Sequence, residues 1–144
     1  MHMQPGAITF EDVSVRFGTA TAIDGITLAV APKTFLAVVG ASGSGKTTLL
    51  RLVNRLIEPS RGRVSLAGSD VRSLDAVALR RRIGYVFQGI GLFTHMTVAE
   101  NIGITPRLLG WPRADIDARV AELLALVRLD PAYAPRRPAQ LSGG

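Results

Sequence analysis

The sequence contains no cysteine, so it offers no disulfide framework, no thiolate metal site and no thiol nucleophile. Aromatic residues make up only 6% of it. The basic clusters Arg80-Arg81-Arg82 and Arg136-Arg137 therefore lack interleaved rings on which bases could stack. Despite a net charge of +6, nucleic acid is not an expected partner. A solvated basic face, or one turned toward anionic lipid headgroups, accounts for the charge. No apolar run approaches the roughly 20 residues of a membrane span. The longest candidate, Ile26 to Ala41, is interrupted by Pro32 and Lys33. Met1 to Thr9 lacks the basic start and apolar centre of a secretory signal, and a cytosolic location is expected. Histidine occurs only as His2 and His95, without a paired carboxylate, so His95 reads as a structural residue rather than a metal ligand. No internal repeat or low-complexity tract is visible.

What is present is a chain of 144 residues, 47% hydrophobic, with a mean hydropathy of +0.27. That suits an α/β domain with buried strands. Its most informative stretch is Gly40-Ala41-Ser42-Gly43-Ser44-Gly45-Lys46-Thr47, a complete G-x-x-x-x-G-K-[ST] phosphate-binding loop. It follows the apolar run Phe35 to Val39 and opens a helix-like stretch near Lys46. A triphosphate carries about four negative charges and needs many unobstructed donors. Gly40, Gly43 and Gly45 let successive N–H groups point inward, and the following helix adds its own free N–H groups and dipole. Lys46 would then reach the β- and γ-phosphates, and the Thr47 hydroxyl would ligate Mg²⁺. Ser42, Ser44 and Thr48 complete the nucleotide-contacting set.

Val13, Val15 and Phe17 alternate with polar neighbours, as do Ile26, Leu28 and Val30, predicting two strands with one buried face each. Phe35 to Val39 is apolar throughout, as is most of Ile83 to Phe87, predicting strands buried on both faces. Leu49, Leu52, Val53, Leu56 and Ile57 form one helical stripe that ends before Pro59. Val64 and Leu66 predict a short strand, and Ser73 to Arg82 a short helix capped by Ser73 or Asp75. After Gln88 the segment is broken up by Gly89, Gly91, Gly103, Pro106, Gly110 and Pro112. Ile116, Val120, Leu123, Leu124 and Val127 then predict a helix starting near Pro112. Pro131, Pro135 and Pro138 predict an extended connection into Leu141. The organisation expected is an α/β nucleotide-binding core over 1–88, including an N-terminal β subdomain, and a helical subdomain over 89–144.

Three further landmarks stand in order around the phosphate loop: Phe17-Gly18 before it, Gln88 after the Ile83–Phe87 run, and Leu141-Ser142-Gly143-Gly144. Together they resemble the ATP-binding subunit of an ABC (ATP-binding cassette) transporter, over the whole chain. The resemblance implies a P-loop NTPase fold with an antiparallel β subdomain and a helical subdomain. It implies that Phe17, usually a tyrosine in the family, stacks on adenine; as a residue of the Val13/Val15 strand face it could equally be core. Gln88 corresponds to the family's Q-loop glutamine, which contacts Mg²⁺ or the attacking water. Ser142, Gly143 and Gly144 correspond to the signature motif, which faces the γ-phosphate bound to the opposite subunit of a dimer. The run Tyr85 to Ile102, with Arg107-Leu108-Leu109-Gly110-Trp111, is similar to importers of osmoprotectants and quaternary amines: glycine betaine, choline, carnitine, proline. Thr94 departs from the proline frequent there, and polar amino-acid importers share much of the pattern. The implied partners are transmembrane permease subunits, a second ATP-binding subunit and an extracytoplasmic solute-binding protein, with the chain held at the inner face of the membrane. Ile90, Leu92, Phe93 and Met96 would dock a short permease helix or pack beneath the helical half.

The family continues past the signature to an apolar strand ending in Asp-Glu, which holds Mg²⁺ and polarises water, and to a switch histidine. No segment of this sequence qualifies: Asp24 follows only Ala22 and Ile23, and Asp130 ends a helical pattern. The expectation is a chain truncated within its signature motif, with exposed apolar strand faces, poor solubility and little hydrolysis on its own. Two other readings remain. An ABC-type ATPase of DNA repair or chromosome maintenance would carry long coiled-coil or zinc-binding inserts, which this chain lacks. A non-hydrolysing nucleotide-binding fragment would retain affinity only.

Overall fold

The computed structural model describes residues 7–89 and 91–141. They fall into two compact units, one running through Ile83 and one beginning at Gly84.

In the first unit, the alternating residues of the opening segment form β1 (Ile8–Phe17), which pairs antiparallel with β2 (Ala20–Val30) across a tight turn. On its other edge β1 pairs antiparallel with β3 (Arg61–Leu66), and β3 continues by hairpin into β4 (Ser69–Asp70). The sheet order is β2-β1-β3-β4. Because β1 is central, its inward residues Val13 and Val15 are fully buried. Helix α1 (Lys46–Val53) lays Leu52 into the same core, with Leu49 and Val53 partly buried beside it. The predicted stripe extends to Leu56 and Ile57, but the helix stops at Val53. Arg55 takes a left-handed conformation (φ 53°), and the Arg80 guanidinium donates to the Asn54 carbonyl at 3.1 Å, holding the chain in its turn. Helix α2 (Ala76–Arg81) begins at Asp75, whose carboxylate accepts from the Ala78 amide at 2.7 Å. Of the two caps the sequence allows, Asp75 is therefore the one used, and Ser73 ends a 3₁₀ turn.

Two predicted strands are not formed. Neither Phe35–Val39 nor Ile83–Phe87 enters a β-ladder. Phe35 is 92% exposed and Val86 95%. Apolar composition gives a segment strand propensity, but a ladder also needs a neighbour to accept and donate its hydrogen bonds. Among the described residues no strand pairs with either run, and the sheet that does form is entirely antiparallel.

The second unit contains a helix the sequence reading missed. Helix α3 (Val98–Leu108) opens on a reciprocal capping box: the Thr97 hydroxyl accepts from the Glu100 amide, and the Glu100 carboxylate accepts from the Thr97 amide. Helix α4 (Arg113–Leu126) starts just after Pro112, as predicted, and packs Ile116, Val120 and Leu124 against Val98. A methyl group on Gly103 would meet Ile116 Cγ2 at 3.1 Å, so this glycine lets α3 and α4 approach rather than breaking α3. The connection after α4 is not simply extended, because Pro131–Tyr133 and Pro138–Gln140 each form a 3₁₀ turn. Its backbone is tied to α3: the Val98 amide donates to the Arg136 carbonyl at 2.8 Å and the Ala99 amide to the Ala134 carbonyl at 2.9 Å. The Arg136 guanidinium lies 4.3 Å over the Tyr133 ring.

The Thr97 amide, then the Thr97 hydroxyl, hold the Glu100 carboxyl below the ordinary glutamate range. The folded state thus favours the carboxylate. Its contribution is complete above the unfolded pKa of about 4.3 and is lost as pH falls through the lower folded value. Protection of the first-turn amides of α3 against exchange, relative to their intrinsic rate at each pH, should fall on acidification below about pH 4. Glu100→Gln should remove most of that acid-dependent step, and an unchanged pH profile would count against the assignment.

Candidate functional site

The site is built where α1 begins. Gly45 is the residue before the helix, with φ 86° and ψ 0°. A Cβ there would lie 2.5 Å from the Ala22 carbonyl oxygen and 3.2 Å from Ile23 Cγ1, so only glycine lets the loop rest on β2. No side chain caps the helix and no acid occupies its first turn. The free N–H groups and the positive end of the helix dipole are left without an internal counter-charge. They border a cavity of about 150 Å³ lined by Gly43 to Thr48 and by Ala22. A wider hollow of about 330 Å³, lined on one side by Ile23, Ile26 and Leu49, adjoins the loop.

Lys46 turns back over the loop that precedes it. Its ammonium donates to the Gly40 carbonyl at 2.9 Å, the Ala41 carbonyl at 2.6 Å and the Ser44 hydroxyl at 3.1 Å. All three of its N–H donors are thereby engaged with the loop. The Ser44 amide also donates to the Ala41 carbonyl at 3.3 Å, closing the turn. The loop is thus braced from within by the cation that an anionic ligand would attract. An incoming phosphate exchanges one set of charge-assisted hydrogen bonds for a stronger one.

The structure gathers Gly40, Ser42, Gly43 and Ser44 with Gly45, Lys46, Thr47 and Thr48 in one loop and first turn. Phe17 ends β1, paired with Ala20 across the hairpin, and is 54% exposed. It is therefore not a core residue, and its ring stands available. Gln88 is exposed in the second unit, outside any helix or strand. Ser142, Gly143 and Gly144 lie outside the described residues. Ala22, Ile23 and Ile26 are lining residues that sequence reasoning missed. A small residue in a strand carries no functional signal until the loop is seen resting on it. Among the described residues no group of three or more His, Cys, Asp or Glu side chains converges as a metal cluster.

Residues 23–144 match the family model described as "ABC transporter". The chain belongs to the ABC transporter family. Among curated relatives of this ABC chain is the choline transport ATP-binding protein OpuBA of Bacillus subtilis (strain 168), 46% identical over 95% of the chain and 36% of the relative. The glycine betaine/carnitine/choline transport ATP-binding protein OpuCA of the same organism is 47% identical over the same shares. The chain therefore spans about a third of the length of these relatives. A solved dimeric structure of MJ0796, a bacterial ABC transporter cassette, matches with a TM-score of 0.82 at 28% identity, over 94% of this chain and 63% of that one. The fold of this ABC chain is accordingly that of an ABC ATPase cassette, in its antiparallel β and helical parts.

Gly45→Ala tests the loop geometry. The added methyl must displace either the loop or β2, costing on the order of 1–3 kcal/mol at a left-handed position. Affinity for inorganic triphosphate should fall by about tenfold or more. Equal binding by variant and wild type in calorimetry would show that the close approach to Ala22 is not required.

Proposed function

We propose that this chain is the nucleotide-binding region of the energy-coupling subunit of an ABC importer. It binds ATP and, in the intact subunit, hydrolyses it to drive uptake of an osmoprotectant or quaternary amine. The observation that carries the reading is the uncapped, acid-free start of α1 behind the loop at 40–45, with Lys46 already folded into it. A donor array that no side chain caps, with a cation held beside it, is the chemistry that holds a polyphosphate.

Lys46 and the amides of the loop hold the phosphates, and Ser42, Ser44 and Thr48 border them. Thr47 supplies a hydroxyl toward Mg²⁺. The metal would neutralise phosphate charge when bound. Gln88 is assigned to the metal or the attacking water, Phe17 to the adenine face, and Ser142, Gly143 and Gly144 to the nucleotide of a second subunit. That second subunit, a pair of permease subunits and an extracytoplasmic solute-binding protein complete the assembly. No helix among the described residues is long and apolar enough to cross a membrane. Attachment to the inner membrane face is proposed to go through the permease, with the exposed Leu92 and Phe93 as contacts. The solute class rests on relatives whose names carry choline, glycine betaine and carnitine.

Two substitutions separate the parts of this reading. Lys46→Ala should weaken MgATP binding by about a hundredfold or more, through loss of charge-assisted hydrogen bonds to phosphate. Undiminished binding would refute the site. Phe17→Ala should weaken ATP by about 1–3 kcal/mol while leaving inorganic triphosphate unaffected. A parallel loss for both ligands would mean that the ring supports the fold rather than the base.

A further inference from the structure

Helix α1 is used at both of its ends. Its first turn carries the free N–H groups of the site, and its last turn leaves carbonyls that the helix cannot satisfy itself. The Leu56 amide returns to the Arg51 carbonyl at 2.9 Å and the Arg55 amide to the Leu52 carbonyl at 3.2 Å. The carbonyls of Asn54 and Arg55 are both taken by one side chain from α2. Arg80 donates from Nε to the Asn54 carbonyl at 3.1 Å and from Nη2 to the Arg55 carbonyl. The contact is returned. Arg55 donates from Nη1 to the Leu74 carbonyl at 3.0 Å, just before the Asp75 cap of α2, and from Nε to the Glu58 carboxylate at 2.8 Å. The exit of α1 and the entry of α2 are thus clasped by two guanidinium groups on main-chain oxygens. Arg55 sits at φ 53° within this clasp, a conformation that a residue with a side chain keeps only where its surroundings over-determine it.

We infer that Arg80 is a positioning residue for the phosphate site, holding the far end of the helix whose near end supplies the donors. The inference rests on the phosphate-binding reading above. The 8 residues of α1 make about two turns and span about 12 Å, too short for a helix that stands without tertiary support. Gly45 rests on β2 at its start and Leu52 is buried along its body, but neither contact engages the carbonyls at its exit. With the clasp open the last turn frays, and the first turn loses the hydrogen-bonded turn that aligns its amides. A phosphate must then order the helix as it binds, and the cost of that ordering is subtracted from the affinity. The guanidinium also stands at the negative end of the helix dipole, opposite the end that meets the ligand's charge. Arg80 acts on the ligand only through α1.

The test uses the intact subunit and inorganic triphosphate, with calorimetry well below the unfolding midpoint of every variant. Arg80→Ala should weaken triphosphate binding about fivefold or more and speed amide exchange at Leu52 and Val53 about tenfold. Arg80→Lys keeps a cation on a flexible stem but not the planar fork, and should fall between wild type and Arg80→Ala. Two controls separate positioning from charge and from stability. Arg81→Ala removes the same charge from the end of α2, and Phe10→Leu loosens the sheet core where β1 pairs with Leu28. Both should bind triphosphate within about twofold of wild type, Phe10→Leu in spite of a midpoint at least as low as that of Arg80→Ala. Unchanged affinity in Arg80→Ala, or a loss of the same size in either control, would overturn the inference. A wild-type subunit that does not bind triphosphate would instead sink the phosphate site itself, and that result is read before any variant is compared.

Discussion

The contact on which the site depends is the approach of Gly45 to the Ala22 carbonyl. It brings the loop onto β2, and so sets where α1 can begin. From there Leu52 continues into the core made by Val13, Val15 and Val64, so the helix is held at its start by a close backbone contact and along its body by apolar burial. The loop between these anchors keeps its donors free because neither a side-chain cap nor an acidic residue has been placed at the helix start. A stability-minded sequence would put Ser, Asp or Glu there. This one leaves the positions open, as a ligand-binding start requires.

The two units hold themselves together in different ways. The first relies on a strand flanked on both sides, with one continuous buried cluster under an antiparallel sheet. The second has a smaller cluster, built from Val98, Ile116, Val120 and Leu124. It compensates with specific polar contacts: a reciprocal capping box, an asparagine with four backbone partners, and two backbone bonds from α3 to the proline-rich connection. Such contacts are individually modest but fix geometry more sharply than apolar burial does. The surface ion pairs, such as Arg63 with Glu11 at 2.7 Å, add little beyond strand register.

Much of this was legible in the residues. The period-2 alternation of Val13 and Val15 located the central strand, and the phosphate-loop spacing located the start of α1 and the loop before it. What was not legible came from partnership and from context. Phe35–Val39 has the composition of a buried strand, but composition does not provide the neighbour that a ladder needs. Gly103 and Pro106 looked like breaks, whereas Gly103 faces Ile116 at a helix crossing and Pro106 sits in the last turns of α3. The Thr97-to-Glu100 spacing was the signal that could have found this helix. Ala22 carried no signal at all, since its role exists only once the chain has folded back on it.

The Val98 and Ala99 amides are also the donors that a helix start ordinarily offers to solvent or to a cap. Here they are spent on the carbonyls of Arg136 and Ala134. The chain leading to Leu141 is thereby stitched to α3 through main-chain atoms, a seam that side-chain substitution cannot easily unpick. Drift in sequence along the proline-rich stretch can alter its surface while leaving the path of its backbone unchanged.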